Sequence, residues 1–280
     1  MIKVKEITFR YKRKTVFKDF SCSFENGKVY GLLGKNGAGK STLLYLMTGL
    51  LQPYRGQILY NDKNVSRRPP SALNDMFLVP EEFALPHIPL KRYLSINKPF
   101  YSRFSEEQLR TNLSIFELDD NLKVNLGALS LGQQKKVFMS FALATNTSLL
   151  IMDEPTNGLD IPGKSRFKKF IASNMTDERT IIISTHQVQD IEKLIEHVVI
   201  LDDSVLLLDA SAEEIGRRLY FANGASQPTF GETPLYASQT YQGFNVLLPN
   251  RNGDESILNL ETLFNAVLEN PAKMKALFNQ

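Results

Sequence analysis

The stretch Gly34-Lys35-Asn36-Gly37-Ala38-Gly39-Lys40-Ser41 matches the pattern G-x-x-x-x-G-K-[ST]. Glycines at those spacings let successive backbone N–H groups wrap a phosphate, and a helix N-terminus after them adds its positive dipole. Lys40 would reach the β- and γ-phosphates of a nucleotide, the Ser41 hydroxyl would ligate Mg²⁺, and Thr42 closes the phosphate-facing stretch. Much further along, Leu149-Leu150-Ile151-Met152 runs straight into Asp153-Glu154. Two carboxylates at the end of an apolar strand ordinarily mark a solvated turn. Beside a phosphate loop, Asp153 can hold the Mg²⁺ shell and Glu154 can polarise the attacking water as general base, so hydrolysis as well as binding is expected.

Such residues need rigid elements behind them. Residues 29–33 read as a buried strand running directly into the glycine loop, and Leu43, Leu44, Leu46 and Met47 give the following segment an apolar helical face that ends near Gly49. Before them, residues 2–9 alternate and residues 16–24 partly do, with Asn26-Gly27 as a turn. From about residue 80 to 144 the pattern becomes helical, with Ser105-Glu106-Glu107-Gln108 as a capping box and Leu109, Leu113 and Phe116 on the inner face of its helix. Strand signals return at 148–152, 180–184 and 198–201, separated by helical stretches, which argues a mainly parallel α/β sheet. The core domain is expected over residues 1–218, with a helical insertion at about 82–144. Residues 219–280 form a small C-terminal appendage, with two strands near 235–237 and 244–248 and a helix around 260–268.

Composition narrows the classes. With 280 residues, 42% hydrophobic and 22% charged, the chain can bury a sizeable core, which excludes disordered and fibrous classes. No apolar run exceeds the five residues 43–47, against about 20 for a spanning helix, and the alternating start lacks the apolar core of a secretory signal. A single cysteine, Cys22, allows no internal disulfide and fits a reducing cytoplasm. The net charge of +3 does not argue for nucleic acid. The basic start, from Lys3 to Lys18, reads as a lysine-protected edge sheet rather than a binding arm.

A further string lies between the two phosphate-site motifs. Leu129-Ser130-Leu131-Gly132-Gln133-Gln134 stands 23 residues, counted from Ser130, before Asp153. With Asp153-Glu154-Pro155-Thr156-Asn157-Gly158-Leu159-Asp160 and His186 after a strand, the set resembles ATP-binding cassette (ABC) transporter ATPases over residues 1–218. The resemblance implies the P-loop ABC-ATPase fold, with an N-terminal antiparallel β subdomain, a mixed and mainly parallel sheet and a helical insertion. It implies a head-to-tail dimer, of two copies or with a second cassette, sandwiching two ATP molecules. Ser130, Gly132 and Gln133 would face the γ-phosphate of the ATP held by the other copy, Asp160 would communicate across the interface, and His186 would hold the γ-phosphate and water. Tyr11, 29 residues before Lys40, would stack on adenine, with Phe9 and Phe17 as rivals.

Two positions depart from the commonest family pattern. Leu131 replaces a glycine of the signature string and resembles cassettes that serve exporter-type permeases. Glu81 stands where the family has a glutamine that touches Mg²⁺ and water; an ionised carboxylate accepts hydrogen bonds, cannot donate them and adds charge beside Asp153 and Glu154, so it would either ligate Mg²⁺ more strongly than glutamine or point away until the partner engages. The expectation is therefore an ATP- and Mg²⁺-dependent ATPase subunit of an exporter. It would work beneath separately encoded transmembrane permease subunits, on the cytoplasmic face of the membrane, without nucleic acid. Phe83, Leu85, Ile88 and Leu90 would either dock on the permease or pack as a buried loop. The rival class is a soluble cassette ATPase acting on nucleic acid or ribosomes, against which stand the single cassette and the absence of coiled coils.

Overall fold

The computed structural model describes residues 1–121, 123–225, 233–241 and 243–278. From the N-terminus run β1 (Ile2–Tyr11), β2 (Lys14–Phe24), β3 (Val29–Gly34), α1 (Lys40–Met47), β4 (Arg55–Tyr60), β5 (Lys63–Asn64), α2 (Pro70–Leu73) and β6 (Met76–Val79). The middle holds α3 (Leu90–Asn97), α4 (Glu106–Ile115), α5 (Leu131–Ala144), β7 (Leu149–Asp153), α6 (Ile161–Ala172) and β8 (Thr180–Thr185). The last part holds β9 (His197–Asp202), β10 (Val205–Ser211), α7 (Ala212–Arg218), β11 (Leu219–Ala225), β12 (Tyr236–Thr240), β13 (Gly243–Pro249), α8 (Leu260–Glu269) and α9 (Pro271–Phe278). The chain divides into two compact units: Met1–Val29 with Ser41–Ser184, and Tyr30–Lys40 with Thr185–Gln280.

In the first unit, β2, β1, β4 and β5 form an antiparallel sheet in that order, and β6, β7 and β8 pair in parallel. The alternating β1 buries Ile2, Val4, Ile7 and Phe9 on one face, whereas β7 and β8 are buried at every position, as strands covered on both faces must be. The helical insertion packs on β6 through aromatic rings. Phe141 of α5 lies 5.3 Å from the rings of Tyr93 and Phe104 and 5.8 Å from Phe77.

Two sequence expectations for this region are refined. Ser105 does cap α4 by accepting the Gln108 amide, but the Gln108 side chain turns away to Asn174 Oδ1 at 2.6 Å, so the box is half formed. Of the apolar residues between prolines, Leu85 and Leu90 are buried and Phe83 lies 4.5 Å from the Phe138 ring, which makes this a packed loop.

In the second unit, β3 pairs with β9 in parallel and β9 with β10 antiparallel. β11, β13 and β12 form a separate antiparallel sheet. α8 buries Leu260, Leu263, Ala266 and Val267, and Asn259 caps it by accepting the Thr262 amide at 2.8 Å. The strands expected near 235–237 and 244–248 and the helix near 260–268 are β12, β13 and α8; β11 and α9 add to them. Among the described residues no helix is long and apolar enough to cross a membrane.

Candidate nucleotide site

The phosphate loop begins where β3 ends. All six residues of β3 are buried, and a Cβ at Gly34 would stand 2.5 Å from the Leu201 carbonyl oxygen, so no side chain fits there. Gly37 (φ +83°) and Gly39 (φ +100°) occupy the left-handed region that glycine enters without strain, and α1 starts at Lys40. The Lys40 ammonium, 6% exposed, folds back onto the loop and donates to the carbonyls of Gly34 (2.7 Å) and Lys35 (3.2 Å). A lysine held inside its own ring of amides is placed to exchange carbonyl partners for phosphate oxygens.

Ser41 and Asp153 belong to the first unit, and the Ser41 hydroxyl acts on the Asp153 carboxyl. Asp153 is 1% exposed; its Oδ1 accepts from the Ser184 hydroxyl, and its Oδ2 is buried without a hydrogen-bond partner among the described residues. Burial pushes the Asp153 carboxyl above the usual carboxylate range; the Ser184 and Ser41 hydroxyls oppose that, and the charges of Glu81 and Glu154 reinforce it. An orphaned carboxylate oxygen beside a serine hydroxyl fits a hard divalent cation. Among the described residues there is no cluster of three or more His, Cys, Asp or Glu able to hold a metal. Mg²⁺ takes one or two protein oxygens and completes its shell with water and phosphate.

Glu154, 4% exposed, follows at φ +45°, a left-handed conformation unusual for a non-glycine residue. Its amide donates to the Ser184 carbonyl at 3.0 Å. Its carbonyl accepts the Asn157 amide at 3.2 Å and the Lys135 ammonium at 2.8 Å. Glu81 is exposed and its Oε1 accepts from Asn157 Nδ2 at 3.0 Å, so it faces the turn that carries Glu154. Lys135 went unnoticed in the sequence, where Lys135-Lys136 reads as an ordinary charged helix face.

The signature string forms the N-terminus of α5. Ser130 is the N-cap: its Oγ accepts the Gln133 amide at 3.3 Å, and Gln133 Oε1 accepts the Ser130 amide at 3.0 Å. A Cβ at Gly132 would meet the Gly158 carbonyl oxygen at 3.5 Å, so the helix start lies against the turn after β7. Leu131 is 80% exposed and Ile161 86%, large apolar side chains flanking this helix end and the start of α6. Leu131 borders a cavity of about 490 Å³ whose lining includes Glu81, Phe83, Gly132, Lys135 and Asn157. Asp160, exposed, caps α6 by accepting the Gly163 amide at 3.0 Å and faces Lys136 at 3.4 Å.

Tyr11 is 46% exposed with its ring edge on Phe9 at 4.9 Å, whereas Phe9 and Phe17 are buried, so of the three aromatics Tyr11 alone is presented to solvent. Tyr11, Ser41, Thr42, Glu81, Ser130, Gly132, Gln133, Asp153, Glu154 and Asp160 belong to the first unit; residues 34–40 and His186, exposed in a bend just after β8, belong to the second.

A glycine loop at the end of a buried strand in one unit, and a buried aspartate followed by a glutamate at the end of a strand in the other, are the two phosphate-site motifs of a P-loop ATPase. Residues 17–157 match the family described as ABC transporter. The chain is 32% identical over 227 residues to a bacitracin transport ATP-binding protein of Bacillus licheniformis, covering 78% of this chain and 72% of that protein. It is 30% identical over 230 residues to a zinc uptake system ATP-binding protein of Listeria innocua, 76% of this chain and 87% of that one. It is 29% identical over 214 residues to a lantibiotic transport ATP-binding protein of Streptococcus pyogenes, 75% of this chain and 90% of that one. A solved ATP-binding subunit of an ABC transporter superposes with a TM-score of 0.70 at 26% identity, covering 78% of this chain and 92% of that one. The chain belongs to the ABC transporter family, as an ATP-binding subunit that hydrolyses ATP and carries the ABC-ATPase fold.

Proposed function

We propose that this subunit, through residues 1–218, powers a separately encoded transmembrane permease from the cytoplasmic face of the membrane. It does so by closing on a second cassette with ATP at the interface. The reading is carried by Asp153 and Glu154: one buried carboxylate with an orphaned oxygen, and one held in a left-handed turn immediately after it. Mg²⁺, when bound, neutralises phosphate charge and polarises the γ-phosphoryl group.

In that scheme the amides of residues 34–40 and the Lys40 ammonium bind and orient the phosphates, and Tyr11 stacks on the adenine. Glu154 accepts a proton from the attacking water as its oxygen bonds to the γ-phosphorus and the bond to ADP breaks; His186 holds the water and γ-phosphate in line. Ser130 and Gly132, at the positive end of α5, meet the γ-phosphate of the second cassette's ATP, and exposed Leu131 and Ile161 are covered on closure. Export is the direction favoured by Leu131 and by the relatives named for bacitracin and lantibiotic transport. The relatives named for zinc uptake support import as the second reading.

The test is Glu154→Gln in the full chain, tagged and expressed at native level. Turnover should fall by about 10²–10⁴-fold while ATP traps a dimer, and a polytopic membrane protein should co-purify from detergent-solubilised membranes. A monomer at saturating ATP and Mg²⁺ refutes the sandwich. Recovery only from the soluble fraction refutes the transporter assignment. Co-purification of a solute-binding protein in stoichiometric amount would move the direction to import.

A further inference from the structure

The turn after β7 closes over four residues, from the Glu154 carbonyl to the Asn157 amide at 3.2 Å. Its first residue holds φ +45°, a conformation that persists only when its surroundings over-determine it. The Glu154 amide is held by the Ser184 carbonyl, and the carbonyls at the two ends of the turn are held by one side chain. Lys135 of α5, 6% exposed, donates to the Glu154 carbonyl at 2.8 Å and to the Asn157 carbonyl at 2.9 Å, so its ammonium stitches both ends of the turn. From the other side, Asn157 Nδ2 donates to Glu81 Oε1 at 3.0 Å. Three segments distant in sequence thus meet around one ammonium and one amide: the signature helix, the turn bearing Glu154, and the loop after β6.

Burying an ammonium among carbonyls alone is unfavourable, because neutral acceptors replace hydration but not counter-charge. Burial does push the Lys135 ammonium toward losing its proton, and the carboxylates of Glu81, Glu154 and Asp153, in that order, hold it on. Glu81 and Lys135 are joined through Asn157, whose side-chain amide donates to Glu81 and whose carbonyl accepts from Lys135, and both line one cavity.

We propose that Lys135 is a positioning residue for hydrolysis: its two carbonyl bonds fix the turn that aims Glu154, and its charge is what allows a carboxylate at position 81. This rests on Glu154 acting as the base. A merely structural lysine would support the fold without affecting the chemical step selectively, and the two roles separate experimentally.

The experiment uses the full chain as Lys135→Met, Lys135→Arg, Glu81→Gln and Lys135→Met with Glu81→Gln. Steady-state ATPase, ATP affinity, thermal unfolding and hydrogen exchange of the peptide covering residues 150–160 are measured. Lys135→Met should lower kcat about 10- to 100-fold with ATP affinity held within about threefold, and should speed exchange of the Asn157 amide. Lys135→Arg, which keeps the charge and donors, should recover most of the rate. Adding Glu81→Gln to Lys135→Met should recover several-fold, because the carboxylate no longer lacks its counter-charge. An unchanged kcat in Lys135→Met overturns the proposal, as does a parallel fall of kcat, affinity and unfolding temperature. Additivity of the double variant overturns the pairing with Glu81. Wild-type turnover in Glu154→Gln would instead remove the assignment of the base, while exchange at Asn157 would still report whether Lys135 pins the turn.

Discussion

Substitutions at Ser130 can separate its capping of α5 from its proposed role toward phosphate. Its hydroxyl caps α5 by accepting the Gln133 amide at 3.3 Å, and the same hydroxyl is proposed to meet the γ-phosphate held by the second cassette. As a cap, Ser→Ala costs about 1 kcal/mol, whereas Asp caps as well as Ser and adds a favourable interaction of about 0.3–1 kcal/mol with the helix dipole. The rest of α5 is anchored by buried Val137, Met139, Phe141 and Leu143, so losing the cap frays only the first turn. Ser130→Ala should therefore lower Tm by about 2–4 °C and Ser130→Asp should not lower it at all. Toward phosphate the order reverses. Ala forfeits one hydrogen bond to a charged group, about 1.5–3 kcal/mol, or about 10- to 100-fold in ATP-driven closure. Asp forfeits the same bond and places a unit negative charge about 4 Å from phosphate oxygens. At an effective dielectric constant of about 20 that adds roughly 4 kcal/mol per unit of phosphate charge, so closure should weaken by more than about 10³-fold. Size-exclusion chromatography in the Glu154→Gln background at saturating ATP and Mg²⁺ reads closure, steady-state ATPase reads turnover, and a thermal scan reads the cap. A Ser130→Asp protein that dimerises and hydrolyses like the native one refutes the phosphate role and leaves Ser130 as a cap only.

Two further outcomes follow from the site. Glu81→Gln keeps an acceptor for Asn157 Nδ2 but deletes a charge that bears on Asp153, so the Mg²⁺ concentration for half-maximal turnover should rise by about tenfold; an unchanged Mg²⁺ titration makes Glu81 an ordinary exposed loop residue. Tyr11→Phe should bind ATP as the native chain does and Tyr11→Ala about tenfold more weakly, by equilibrium binding of a fluorescent ATP analogue. Equal affinity in all three would mean that its exposed ring serves packing on Phe9.

What could be read in the sequence was whatever depends on neighbours close along the chain. The glycine loop is legible because Gly37 and Gly39 must take positive φ and because an apolar strand and an apolar helical face adjoin it directly. The pair Asp153-Glu154 is legible for the same reason, since a five-residue strand buried throughout delivers both carboxylates to one end. The signature end is legible as a helix start because Ser130 and Gln133 satisfy each other's backbone groups three residues apart. Where a local rule met a distant competitor it failed in part: Gln108 has the spacing to complete a box with Ser105 but bonds Asn174, 66 residues away. Prolines on either side of Leu85 and Leu90 restrict the backbone there but do not decide which way those side chains face, and packing buried them.

Lys135 marks the limit of such reading, for a physical reason. Beside Lys136 it has the character of a solvated helix face, and a lysine is seldom buried unless something distant satisfies it. What satisfies it are two backbone carbonyls, 19 and 22 residues further on, and carboxylates in two other segments. Backbone carbonyls carry no residue identity, so no pattern of side-chain types could announce them; only the left-handed turn at Glu154 aims both at one point. The same turn places Asn157 against Glu81, so the carboxylate at position 81 and the buried Lys135 are joined through one residue of that turn. A glutamine at position 81 should therefore make the charge of Lys135 less important to turnover, and the Lys135→Met, Glu81→Gln double variant measures that dependence directly.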